Sequence, residues 1–118
     1  MKPEVCLEIF LKRNLSTKLD RFLGFILVQK RQLKFLHAIY HELEESLDPL
    51  KKVSSIPDIV LDESGYLFKP PDTFGKLVVS LREILNTNEE SFLLISIDGK
   101  YGIYNPETYI DSRAFYGS

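Results

Sequence analysis

The chain has 118 residues, of which 44% are hydrophobic and 27% charged, which excludes global disorder and collagen-like repetition. Fifteen basic and seventeen acidic side chains leave a net charge of −2, a balance that does not point to a strongly basic nucleic-acid binder. Cys6 is the single cysteine, so an intramolecular disulfide and any four-thiolate zinc site within one chain are excluded.

A lone thiol suits a reducing compartment, and no charged leader with a small-residue cleavage site opens the chain; the expectation is a soluble cytoplasmic protein. The longest apolar run, Phe22 to Val28, has seven residues against the ~20 that a membrane span requires, so no membrane partner is expected. Charge is uneven. Residues 1–41 carry a net +5 and residues 42–118 a net −7, an asymmetry that can act within one fold or between copies.

Pro3 before Glu4 is a good helix start, because the proline lacks an N–H that has no partner in a first turn. Val5, Ile9 and Phe10 then share one face, with Leu7 and Leu11 on another; Val5, Leu7, Ile9 and Leu11 also alternate, so a strand competes. Ser16 or Thr17 can cap the next helix. From Leu19 to Leu47, apolar residues recur in steps of three and four, and Pro49 ends the run after Asp48.

One helix over residues 18–47 is about 45 Å long, more than the roughly 35 Å diameter of a domain this size. Such a rod must break near Gly24 or be covered by a second copy of the chain. The expected interface of that homodimer is Phe22, Ile26, Leu33, Leu36, Tyr40 and Leu43. A buried strand at residues 22–28 followed by a helix is the rival reading.

After Asp48-Pro49, turn residues become frequent. Ile59-Val60-Leu61 and Tyr66-Leu67-Phe68 flank Asp62-Glu63-Ser64-Gly65 like the arms of a hairpin. Asp72 or Thr73 can cap a helix with Leu77, Val78, Leu81, Ile84 and Leu85 on its face. Ser91 to Ile97 reads as a strand, Asp98-Gly99 as a two-residue turn, Tyr101 to Tyr104 as the partner strand, and Tyr109-Ile110 as a short extended piece. The expectation is one α+β domain over residues 1–118: a long N-terminal helical segment (about 1–48), then a small, mainly antiparallel sheet of two hairpins with one intervening helix (about 56–118).

Chemistry-bearing constellations are sparse. His37 and His41, four apart on a helix with Glu45 a turn further on, could hold a divalent metal, but the His-Glu-x-x-His order is absent and a solvated helix face explains the spacing more simply. Lys30, Arg31 and Lys34, with Lys51 and Lys52, form the densest basic stretches and are the candidate contacts to nucleic acid. Cys6 among Val5, Leu7 and Ile9 reads as a small buried hydrophobe. Asp58, Asp62, Glu63 and Asp72 sit around loops, with no two marked as an acid–base pair.

Tyr101, Tyr104, Tyr109 and Tyr116 suit either an interface or a small core. These features favour a non-catalytic interaction or regulatory module, of inhibitor, antitoxin or assembly-factor type, needing no cofactor and partnering itself or another protein. A small metal-dependent enzyme and a weak nucleic-acid binder are the alternatives.

Overall fold

A computed structural model describes residues 1–15, 23, 24, 26, 32, 40–70, 72–87, 91–106 and 113–117. Helix α1 covers Pro3–Asn14, with the proline in its first turn and Lys12 and Arg13 in its last. A 3-10 turn at Tyr40–Glu42 leads into the one-turn helix α2, Leu43–Ser46. Asp48 then caps a second 3-10 turn, Pro49–Lys51, its carboxylate accepting the Leu50 N–H at 2.9 Å. The remaining elements are β1 (Lys52–Val53), α3 (Asp58–Leu61), β2 (Gly65–Lys69), β3 (Thr73–Val78), α4 (Leu81–Leu85), β4 (Phe92–Ser96), β5 (Tyr101–Asn105) and β6 (Ala114–Gly117).

The strands form one antiparallel sheet in the order β1-β6-β5-β4-β2-β3. The protein is of the α+β class, with more strand pairings than two hairpins supply. Both faces of the sheet are covered. On one, Cys6, Leu7, Phe10 and Leu11 of α1, with Ile26, Tyr40, Leu43 and Leu47, pack on Phe68, Leu93, Ile95, Tyr104 and Tyr116. On the other, Ile56, Leu81 and Ile84 pack on Leu67, Val78, Phe92, Leu94 and Ile103. Successive residues of a strand point to opposite faces, so the unbroken run Phe92-Leu93-Leu94-Ile95 is what a strand buried on both sides requires, and all four are fully buried.

The face that α1 buries is Cys6, Leu7, Phe10 and Leu11, a stripe at steps of one, three and four. Val5, placed on one face with Ile9 and Phe10, is exposed at 38% while Phe10 is fully buried. The helical reading of residues 4–11 holds over the strand.

The predicted rod over residues 18–47 does not survive as one straight helix. Much of that span lies outside the described residues, but its ends do not: Leu15 and Leu47 form an antiparallel bridge, and the Asp48 N–H donates to the Asn14 carbonyl at 2.7 Å. A straight helix beginning three residues after Leu15 would carry Leu47 about 45 Å away, and three linking residues span only about 10 Å. Leu23, Gly24, Ile26 and Gln32 have helical backbone, whereas Tyr40–Glu42 is a 3-10 turn.

Two further expectations are corrected. Ile59-Val60-Leu61 is not a strand; it lies in α3, entered at Pro57, and β2 pairs instead with β3 and β4. A three-residue apolar run carries no periodicity to separate the two states. The helix expected from Asp72 or Thr73 is confined to Leu81–Leu85, and residues 73–78 are β3. Gly75 at φ +73, at a register shift between Leu67 and Phe68, lets Phe74 turn back onto the Phe68 ring at 4.9 Å and 86°. The helix starts instead at Ser80, whose Oγ accepts the Glu83 N–H at 3.2 Å.

The β4–β5 hairpin forms where the sequence predicts, but four residues, Ile97 to Lys100, join the strands in place of a two-residue turn. Gly99 takes φ +77, and a Cβ there would press on the Cys6 carbonyl and the Ile9 side chain. The Ser96 hydroxyl donates to Asp98 Oδ1 at 2.7 Å, which also accepts the Lys100 N–H at 3.0 Å. Partial burial works against the Asp98 charge, but these bonds and the Lys100 cation hold its carboxyl below the usual range. Strand β6 and the two-residue β1 had no counterpart in the sequence reading; Tyr109 and Ile110 lie outside the described residues.

Candidate functional site

The strand order leaves two edges. One is β1, only two residues long. The other is β3, six residues long, which among the described residues pairs with β2 on one side only. An edge strand presents main-chain N–H and C=O groups to any strand that can lie beside it. Natural edges are blunted by lysines and bulges. Here β3 carries both, the irregularity at Gly75 and the exposed Lys76.

The residues after Lys76 carry no such device. Leu77 is 61% exposed and Val79, just beyond the strand, 81%. Leu77 stands opposite Tyr66 in the register, on the α1 face. The Ser64 hydroxyl donates to the Val79 carbonyl at 3.2 Å, and the Leu81 N–H to the Glu63 carbonyl at 3.1 Å, so this end of β3 is tied down. This end of β3 thus combines a fixed backbone with exposed apolar side chains. Sequence reasoning missed it because Leu77 and Val78 were placed on a helix face.

Three of the six expected seam residues are among the described ones. Ile26, Tyr40 and Leu43 are fully buried in the core between α1 and the sheet of their own chain, which leaves them no surface to offer a second copy. Phe22, Leu33 and Leu36 lie outside the described residues. Tyr40 is held especially firmly. Its hydroxyl donates to the Asn105 carbonyl at 2.8 Å, and the Tyr104 hydroxyl donates to the Tyr40 carbonyl at 2.9 Å, with the rings 5.3 Å apart. Burial pushes both phenols far above the ordinary tyrosine value, so both remain neutral donors.

His37 and the side chain of His41 lie outside the described residues, and Glu45 is exposed on α2. Among the described residues no group of three or more His, Cys, Asp or Glu side chains could hold a metal ion. Lys30, Arg31 and Lys34 also lie outside the described residues. Lys51 and Lys52 are exposed on either side of the start of β1. Lys51 lines a concavity of about 310 Å³ with Lys12, Arg13, Asn14 and Gly117. Lys52 lines a smaller cleft of about 90 Å³ that also contains Glu44, Tyr104 and Tyr116.

Cys6 is fully buried, and its Sγ donates to the Ile97 carbonyl at 2.9 Å. Burial raises its pKa, which keeps it a thiol and a poor nucleophile. Asp58 and Asp62 do converge, but on a cation: Arg82 Nη2 lies 3.1 Å from Asp58 Oδ1, and its Nε lies 2.8 Å from Asp62 Oδ1. The side-chain bond to Asp62, then that to Asp58, raises the guanidinium pKa further. This fork joins α3 to α4 across solvent-exposed ground; it is not an acid–base pair.

No family model matches the chain, and neither a curated protein nor a solved structure matches it. Among the described residues no helix is long and apolar enough to cross a membrane.

Proposed function

We propose that the chain is a non-catalytic protein-interaction module that works as a homodimer, the β3 edge of one copy lying antiparallel to the β3 edge of the other. The observation that supports this reading is the exposure of Leu77 and Val79 at the end of a sheet edge that is otherwise firmly held. An antiparallel edge is complementary to itself under a two-fold axis, because each strand offers the donors that the other strand needs as acceptors. The two-fold also brings the same apolar side chains of both copies together and removes them from water. A regulatory role of the inhibitor, antitoxin or assembly-factor kind fits a module with an edge of this sort.

A pairing that rests on one strand per copy falls at the small end of specific interfaces, so an affinity in the micromolar range is expected. In sedimentation velocity the wild-type chain should shift from monomer to dimer across roughly micromolar concentrations. Leu77→Lys places a charge in the paired edge and should keep the chain monomeric, with its circular dichroism unchanged because Leu77 is largely solvent-exposed. A wild-type chain that stays monomeric, or a Leu77→Lys variant that dimerises like wild type, contradicts the proposal.

A further inference from the structure

We propose that the concavity between the last turn of α1 and the turn before β1 binds a small phosphate-bearing anion. The α1 helix supplies Lys12 and Arg13 to its wall, and the 3-10 turn Pro49–Lys51 supplies Lys51 from the opposite side. One hydrogen bond joins these walls, and a second steadies its α1 end. The Asn14 carbonyl accepts the Asp48 N–H at 2.7 Å, while the buried Asn14 amide donates back to the Phe10 carbonyl at 2.8 Å. Asp48 in turn shapes the turn that carries Lys51, accepting the Lys51 N–H on its carbonyl at 3.0 Å and the Leu50 N–H on its carboxylate.

The floor includes Gly117, at φ +145 in β6, where a Cβ would press on the Tyr101 ring and the Lys100 carbonyl. A volume of about 310 Å³ is at the small end of ligand cavities, enough for a phosphate or diphosphate group.

The charge of the lining argues for the ligand class. Of the three clefts described on this molecule, the other two each include a carboxylate, Glu44 in one and Asp58 in the other. The described lining of this one has three cations and no carboxylate. The negative end of the α1 dipole accounts for Lys12 and Arg13 in its last turn. It does not account for Lys51, which approaches from a different element. Lys12 also pairs with Glu8 at 2.9 Å, a partly exposed i,i+4 bridge weak enough for a phosphate to outcompete. Lysine point charges that meet from two different elements are donors that phosphate oxygens favour.

The site lies at the β1–β6 edge of the sheet, opposite β3, so it stands independently of the pairing proposed above.

The test is isothermal titration of the full chain with inorganic pyrophosphate and with inorganic phosphate, at low and matched ionic strength. Saturable binding is expected, tighter for pyrophosphate, with Lys51→Glu weakening it about tenfold or more. Lys2→Glu, the same charge change at the far end of α1, should leave the affinity unaltered. Equal losses in the two variants reduce the effect to net charge and overturn the proposal, as does titration without saturation. A short single-stranded oligonucleotide that binds where pyrophosphate does not, with a steep salt dependence, overturns it in favour of a nucleic-acid surface.

Discussion

Tyr40→Ala is expected to destabilise the chain by about 3–5 kcal/mol, a large share of the total for a domain of this size. The side chain is fully buried between α1 and the sheet, and its removal leaves a cavity that the surrounding core cannot refill. The Asn105 carbonyl loses its hydroxyl donor, and the Tyr104 ring loses its neighbour 5.3 Å away. Tyr40→Phe keeps the ring and loses only the hydroxyl bond, so its cost should be about 1–2 kcal/mol. Urea denaturation separates the two variants. Because Tyr40 is inside its own chain, both losses should be the same at every protein concentration. A loss that grew on dilution would return Tyr40 to an interface between copies.

Gly102→Ala is expected to cost about 3 kcal/mol, toward the upper end of the overpacking range. Strand propensity alone gives the opposite sign, since alanine orders a strand more cheaply than glycine does. The difference is the Phe10 ring, which lies directly on Gly102: an added Cβ would sit 2.6 Å from Cζ and 2.9 Å from Cδ2. Phe10 has no room to retreat, being fully buried and packed edge-on against Tyr116 at 6.4 Å and 85°. The double variant Gly102→Ala with Phe10→Leu should therefore recover part of the loss. A Gly102→Ala protein at least as stable as wild type would mean that α1 does not press on β5 in this way.

What the sequence made legible was punctuation and burial. Pro3 opens α1, Asp48-Pro49 ends the second helical part, and Asp98-Gly99 turns the central hairpin, each through a local constraint that tertiary structure has little reason to override. The apolar stripe through Ile26, Tyr40 and Leu43 correctly marked residues to be covered. Periodicity does not say what covers them, and here α1 and the sheet of the same chain do so.

The short elements were not legible. Helices α3 and α4 span four and five residues, too few to express a helical period, and Leu77-Val78 fits a strand as well as a helix. The Ser80 and Glu83 spacing was a usable cap signal that went unread. The two-residue β1 has no signature at all; it exists because Phe115 and Tyr116 of β6 lie beside it. The candidate surfaces were hidden for the same reason. Leu77 becomes exposed only once β3 is an edge, and Lys51 meets Lys12 and Arg13 only once Asp48 docks on Asn14.

Hydrogen exchange measured across protein concentration tests the pairing of copies most directly, because it reads the amides that a new strand partner would occupy. In β3, the alternate amides that point away from β2 are predicted to exchange quickly in dilute solution and more slowly as concentration rises, with no matching change in β1. Exchange in β3 that is the same at every concentration would contradict the account.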